Sequence, residues 1–149
     1  MASETLPLRV LRISRCFPES ADVMAVHRLH RGIDARDIGT AHALALSHHG
    51  PAFDRFIVSG MTPFTPEDCE TLASNPRKAL IRRAPGLVIE MDTRGWPLPD
   101  NIDRVYSSAK AQEQLGWSPS WGWEEALAQS DRDDLEVLPF RSRPPYQSE

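Results

Sequence analysis

The stretch Leu98–Pro119, LPDNIDRVYSSAKAQEQLGWSP, decides how the rest of the chain is read. An irregular, Pro-bounded lead-in reaches Ile102 and Val105. Ser107 or Ser108 then stands where a helix N-cap belongs, and the helix is predicted to run to about Leu115. Gly116 occupies the position that a left-handed C-cap requires. Trp117 follows as a large apolar anchor, and Ser118-Pro119-Ser120 breaks the chain before a last helix predicted over residues 121–129. Trp117, Trp121 and Trp123 are expected to pack as a local aromatic cluster.

Working outward, the composition bounds the class. The chain has 149 residues, enough for one modest domain with a core. A net charge of −4 argues against a nucleic-acid partner. No apolar run approaches the roughly 18 residues needed to span a membrane, and the start, MASETLPLRV, lacks the pattern of a signal peptide. A cytoplasmic protein is expected, with no membrane partner. Cys16 and Cys69 have no zinc or redox spacing and are expected as buried thiols.

Upstream, residues 6–13 (LPLRVLRI) read as a strand apolar on both faces, the kind found inside parallel sheets. Such a strand needs neighbours. The candidates are residues 55–59 (RFIVS) and, more weakly, residues 87–91 (LVIEM), too few for a doubly wound sheet. The expectation is a strand whose sheet is partly missing. Between the first two strands, Asp34 followed by Asp37 gives an N-terminal capping pattern. Ile38, Ala41, Ala45 and Leu46 recur at helical spacing until Gly50-Pro51 ends the run. After the second strand, Thr65 as N-cap, Pro66 at the first helical position and the acidic pair Glu67-Asp68 predict a helix to about Ser74, stopped by Asn75-Pro76. Residues 131–149 are charged and Pro-rich and read as a tail.

Three constellations invite chemistry. The five histidines (His27, His30, His42, His48, His49) lack a completing Cys or carboxylate cluster, so no metal is expected. Arg77, Lys78, Arg82, Arg83 and Arg94 form a local basic run near Trp96, which reads as a solvated helix face. Tyr106 and Lys110 spell Tyr-x-x-x-Lys, a spacing that places both on one helix face, where a lysine could lower the phenol's pKa. None of the eight glycines cluster to cradle a pyrophosphate, so no dinucleotide is expected to bind this chain alone.

The succession Asp103-Arg-Val-Tyr106, Ser107-Ser-Ala-Lys-Ala111 and Leu115-Gly-Trp-Ser-Pro119 resembles a segment near the C-terminus of the NAD-dependent epimerase/dehydratases. These are extended short-chain dehydrogenase/reductases that act on nucleotide sugars. Arg12-Ile-Ser-Arg15-Cys-Phe-Pro18 is similar to the family's Arg-x-x-Asn-x-Tyr-Gly-Pro loop, with Arg15 where Asn is common. The helix start at Asp37 resembles His-Val-x-Asp-Val-Ala, and the strand before Gly60 resembles Asn-Ile-Gly-x-Gly, with Ser59 in place of Gly.

The resemblance implies an α/β fold over residues 6–130. It corresponds to the C-terminal substrate-binding lobe, one Rossmann-type strand plus helices and short strands, without the dinucleotide-binding half. It implies substrate contacts from Arg15, from Arg28 or Arg31 to a diphosphate, and from Arg94 or Arg104 to the nucleotide; guanidinium pairs well with phosphate. Arg15 is equally readable as a surface charge. The family's catalytic pair lies before the opening strand, so Tyr106 and Lys110 read as a coincidence of spacing. NAD(P) belongs to the intact family and is not expected on this chain alone. The expected partners are a nucleotide sugar or similar small molecule and, if the chain is one half of a split enzyme rather than a truncated product, a separate cofactor-binding half; no catalysis is expected of this chain alone. The alternative is a non-catalytic module that recruits a partner through its exposed sheet edge.

Overall fold

The computed structural model describes residues 6–140. Strands β1 (Leu8–Ile13) and β2 (Phe53–Val58) form a parallel pair, with Leu8 beside Phe53 and Ile13 beside Val58. Parallel neighbours need a long crossover; here it is made by α1 (Ala21–His30) and α2 (Ala35–Leu46). After β2, a 3₁₀ turn (Pro66–Asp68) leads into α3 (Cys69–Ser74), α4 (Pro76–Arg83) and α5 (Pro85–Arg94). A long loop then reaches α6 (Ala109–Leu115) and α7 (Trp123–Asp131).

The alternation of side chains sets the two faces of the sheet. Leu11, Phe56 and Val58 pack inward with Ile33, Ala41, Ala45, Leu115 and Trp117 into a smaller core. The opposite face is half-bare: Leu8 and Phe53 are 55% and 53% exposed and Arg12 and Arg55 are exposed beside them, while Val10 and Ile57 are half-buried. A larger core lies away from the sheet. There Met24 and Leu29 of α1 meet Leu72, Leu80, Leu87 and Met91 from α3–α5 and Leu127 of α7.

Caps follow the expected chemistry. The Asp34 carboxylate accepts from the Arg36 N–H at 3.0 Å at the start of α2. Thr65 and Asp68 form a reciprocal capping box ahead of α3. Gly116 ends α6 at φ 62°, the left-handed region in which a Cβ is unfavourable.

Several expectations are corrected. Residues 87–91 are not a strand but the middle of α5. Pro85 sits at its first position, and Leu87, Val88 and Met91 are buried at helical spacing. Asn75-Pro76 stops α3 and also begins α4, because the Asn75 side chain accepts from the Lys78 N–H at 3.2 Å and Pro tolerates the first turn. The three tryptophans do not cluster. Trp117 is buried in the smaller core, Trp123 packs on the larger one, and Trp121 lies under the Arg36 guanidinium at 3.7 Å. Cys16 and Cys69 are exposed. The expected tail begins with packed residues. Val137 is buried, the Leu138 N–H donates to the Glu19 carbonyl at 2.8 Å, and the Leu138 carbonyl accepts from Ala21 at 3.2 Å. Residues 141–149 of that expectation lie outside the described residues.

Candidate functional site

At the C-terminal ends of the strands, the backbone opens to admit Arg31–Ile33. The Arg15 N–H donates to the Arg31 carbonyl at 3.0 Å, the Ile33 N–H to the Arg15 carbonyl at 2.9 Å, and the Gly60 N–H to the Gly32 carbonyl at 2.8 Å. This approach is close enough that a Cβ on Gly60 would stand 2.6 Å from the Arg28 carbonyl oxygen, so glycine is required. The clasp fixes the C-terminal turn of α1 at the carboxyl end of the sheet, the end at which α/β folds commonly bind ligands.

A cavity of about 650 Å³ opens beside α1. Its helical wall carries Asp22, Val26, His27, His30 and Arg31, and its other wall is the Pro97–Asn101 segment, with Asp103 and Phe140 at the rim. The three-to-four-residue spacing of the α1 set puts these side chains on one helix face.

The polar groups are arranged in a chain. The Glu19 carboxylate accepts from both Arg15 nitrogens at 3.1 and 2.5 Å and lies 3.0 Å from His27 Nδ1. Arg31 Nη2 donates to His27 Nε2 at 3.2 Å, which leaves the proton on Nδ1, directed at Glu19. Burial would raise the pKa of Glu19, but the hydrogen bonds from Arg15 and His27 outweigh it and hold the carboxyl below its ordinary range. Burial depresses His27 in spite of Glu19, so its imidazole is neutral near pH 7. His30 Nδ1 donates to the Arg104 carbonyl at 3.0 Å, and burial pushes its pKa down to about 4. Its Nε2 is therefore an acceptor.

The arginines named from the sequence are dispersed, and carboxylates occupy most of them. Arg15 is bound to Glu19 and stacks over Phe17 at 4.6 Å. Arg28 is buried, pairs with Asp34 at 3.1 Å and lines a smaller cavity of about 250 Å³. Arg94 holds Asp131 at 2.5 Å and Glu90 at 3.3 Å over the Trp96 ring. Arg104 is turned to Asp103 at 2.6 Å. Among these, Arg31 alone lines the larger cavity, 3.6 Å from Asp103, with its Nε buried and without a partner among the described residues.

Tyr106 and Lys110 do not share a helix face, because α6 begins only at Ala109. The Tyr106 N–H donates to the His30 carbonyl at 2.7 Å, and Lys110 is paired with Asp54. No three His, Cys, Asp or Glu side chains among the described residues converge as metal ligands.

Asp22, on the cavity wall, is missing from the sequence reading. Its signal was Ser20 followed by Asp22 and then Met24, Ala25 and Leu29 at helical spacing, a start pattern obscured because only Glu19 and Ser20 separate Pro18 from α1.

No family model, no curated protein and no solved structure matches this chain. No helix among the described residues is long and apolar enough to cross a membrane.

Proposed function

We propose that this chain is a substrate-binding lobe of the kind found in NAD(P)-dependent nucleotide-sugar epimerases and dehydratases, and that it completes its sheet on a separate chain. That partner would supply the cofactor and the catalytic pair. A cytoplasmic location belongs to the same proposal. The observation that supports it is the unfinished sheet. Leu8 and Ser14 turn their N–H groups to the β2 side, at 2.7 and 3.0 Å from the Ala52 and Val58 carbonyls. The backbone groups of Arg9, Leu11 and Ile13 therefore point to an edge with no strand beside it among the described residues. An open edge and a half-bare apolar face both call for another layer. Arg31 is the diphosphate ligand in this proposal, since among Arg15, Arg28, Arg31, Arg94 and Arg104 it alone lines the larger cavity.

The same edge also supports the second reading, a non-catalytic module that recruits a partner strand. Thermal melts with UDP-, GDP- and dTDP-sugars separate the two. The first reading expects one of these ligands to raise the transition and Arg31→Ala to abolish the rise. Melts unmoved by the whole panel favour the module.

A further inference from the structure

The α1 cavity holds a feature that the nucleotide-sugar reading does not use. Asp22 is only 8% exposed, and its Oδ1 is fully buried with no hydrogen-bond partner among the described residues. A buried carboxylate without a partner is costly, and the cost is removed by a cation brought to it. Its position in the first turn of α1 offers some relief from the helix dipole but no hydrogen bond.

The end of the cavity around Asp22 matches a cation. Asp100 stands on the facing wall, and the one guanidinium lining the cavity, Arg31, is at the other end of α1, where it donates to His27 and lies 3.6 Å from Asp103, which Arg104 also holds. Both wall histidines are held neutral by burial and add no positive charge at pH 7. Val26, Leu98 and Phe140 supply apolar surface between the carboxylates. At about 650 Å³ the space falls within the range of small-molecule sites.

We infer that this cavity binds a small molecule carrying a protonated amine on an apolar body, with the ammonium against Asp22 and the body along Val26 and Leu98. Asp22 lies in the first turn of α1 and Arg31 caps its C-terminus nine residues on, about 13 Å at the α-helical rise. An ammonium at Asp22 and a phosphate at Arg31 therefore contact different residues, and Asp22→Asn tests the first without touching the second.

The experiment uses the full chain and three probes of one shape: 4-phenylbutylamine, the neutral 4-phenylbutanol and the anionic 4-phenylbutyrate. Calorimetry and thermal melts are expected to rank amine over alcohol by about tenfold, with no response to the acid. Asp22→Asn is expected to keep its fold, since it discards an unpaired charge, and to bind amine and alcohol equally. If Asp22→Asn does not fold, Val23→Trp, at a half-buried position of the cavity wall beside Asp22, fills the space and must abolish amine binding while leaving the carboxylate in place. Amide chemical shifts along α1 locate the probe. Equal binding of amine and alcohol by the native chain, retention of amine preference in Asp22→Asn, full amine binding by Val23→Trp, or no binding of the amine would each overturn the inference.

Discussion

The Asp37 carboxylate accepts the backbone N–H of Ser120 at 2.9 Å, tying the first turn of α2 to a segment 83 residues further along the chain. Its second oxygen takes the Trp121 N–H at 3.1 Å. The Asp37 carbonyl in turn accepts from Trp117 Nε1 at 3.1 Å. One residue thus holds Trp117 and the two residues that follow Pro119 by three bonds. Asp37→Ala removes two charge-assisted hydrogen bonds to the part-buried amides of Ser120 and Trp121, and such bonds are worth about 1.5–3 kcal/mol each. A loss of about 3 kcal/mol in urea unfolding is expected, with Asp37→Asn losing less because one amide oxygen remains.

His30 makes the fold sensitive to mild acid. Its folded pKa, about 4, lies below the ordinary histidine value of 6.5, so between those values the unfolded chain binds the additional proton. Stability from this group is complete above pH 6.5, is lost as the pH falls, and is gone near pH 4. The difference amounts to about 3 kcal/mol. His27 is depressed in the same direction and adds to the slope. Urea unfolding followed from pH 7 to pH 4 should show the decline, and His30→Asn should flatten it whatever its stability at pH 7.

Two glycines should respond differently to alanine. At Gly60 a Cβ would meet the Arg28 and Gly32 carbonyl oxygens at 2.6 and 2.8 Å, both backbone atoms that cannot swing aside. Gly60→Ala must therefore displace the clasp between the strands and α1, at a cost of about 1–3 kcal/mol. At Gly116 the added Cβ would have open space, and only the left-handed backbone resists it. Gly116→Ala should cost about 1 kcal/mol, and Gly116→Asn less. Denaturation midpoints of the three variants test the order.

Both thiols should be reactive in the native state. Cys16 and Cys69 are exposed, so a thiol reagent should titrate two equivalents without denaturant. A requirement for urea before either one reacts would contradict their placement.

Local signals were legible where the backbone itself writes the rule. Gly116 as a left-handed cap, Thr65-Pro66 with Asp68 as a helix start and Asp34 as a cap all follow from groups within four residues. The smaller core was partly legible through the Ile38–Leu46 spacing. What failed depended on partners far along the chain. LVIEM has the composition of a strand, yet Pro85 and the burial of Leu87 and Met91 against α1 and α4 make it helical. Trp117, Trp121 and Trp123 are close in sequence, but Trp117 and Trp123 join different cores and Trp121 joins neither. The arginines follow from their places in the family resemblance, and sequence spacing could not reveal that Glu19, Asp34 and Asp131 would occupy three of them. Asp22 was missed because only its helix-start pattern is written in the sequence, and the lack of a partner for its carboxylate is not.

The separation into two cores divides the molecule into units that open at different free energies. The sheet brings together Leu8 and Phe53, 45 residues apart, and a pair of strands gains little stability by itself. It is held by α2, α6 and the buried Trp117, a small apolar set beside the one that joins α1 to α3, α4, α5 and α7. Amide protons of β1 and β2 should therefore exchange through a partial opening, while those of Met24, Leu29 and Leu127 wait for global unfolding. The α1 cavity belongs to the slower unit. Its helical wall would survive transient loss of the sheet, leaving a bound molecule in place while the strands are free to find another edge.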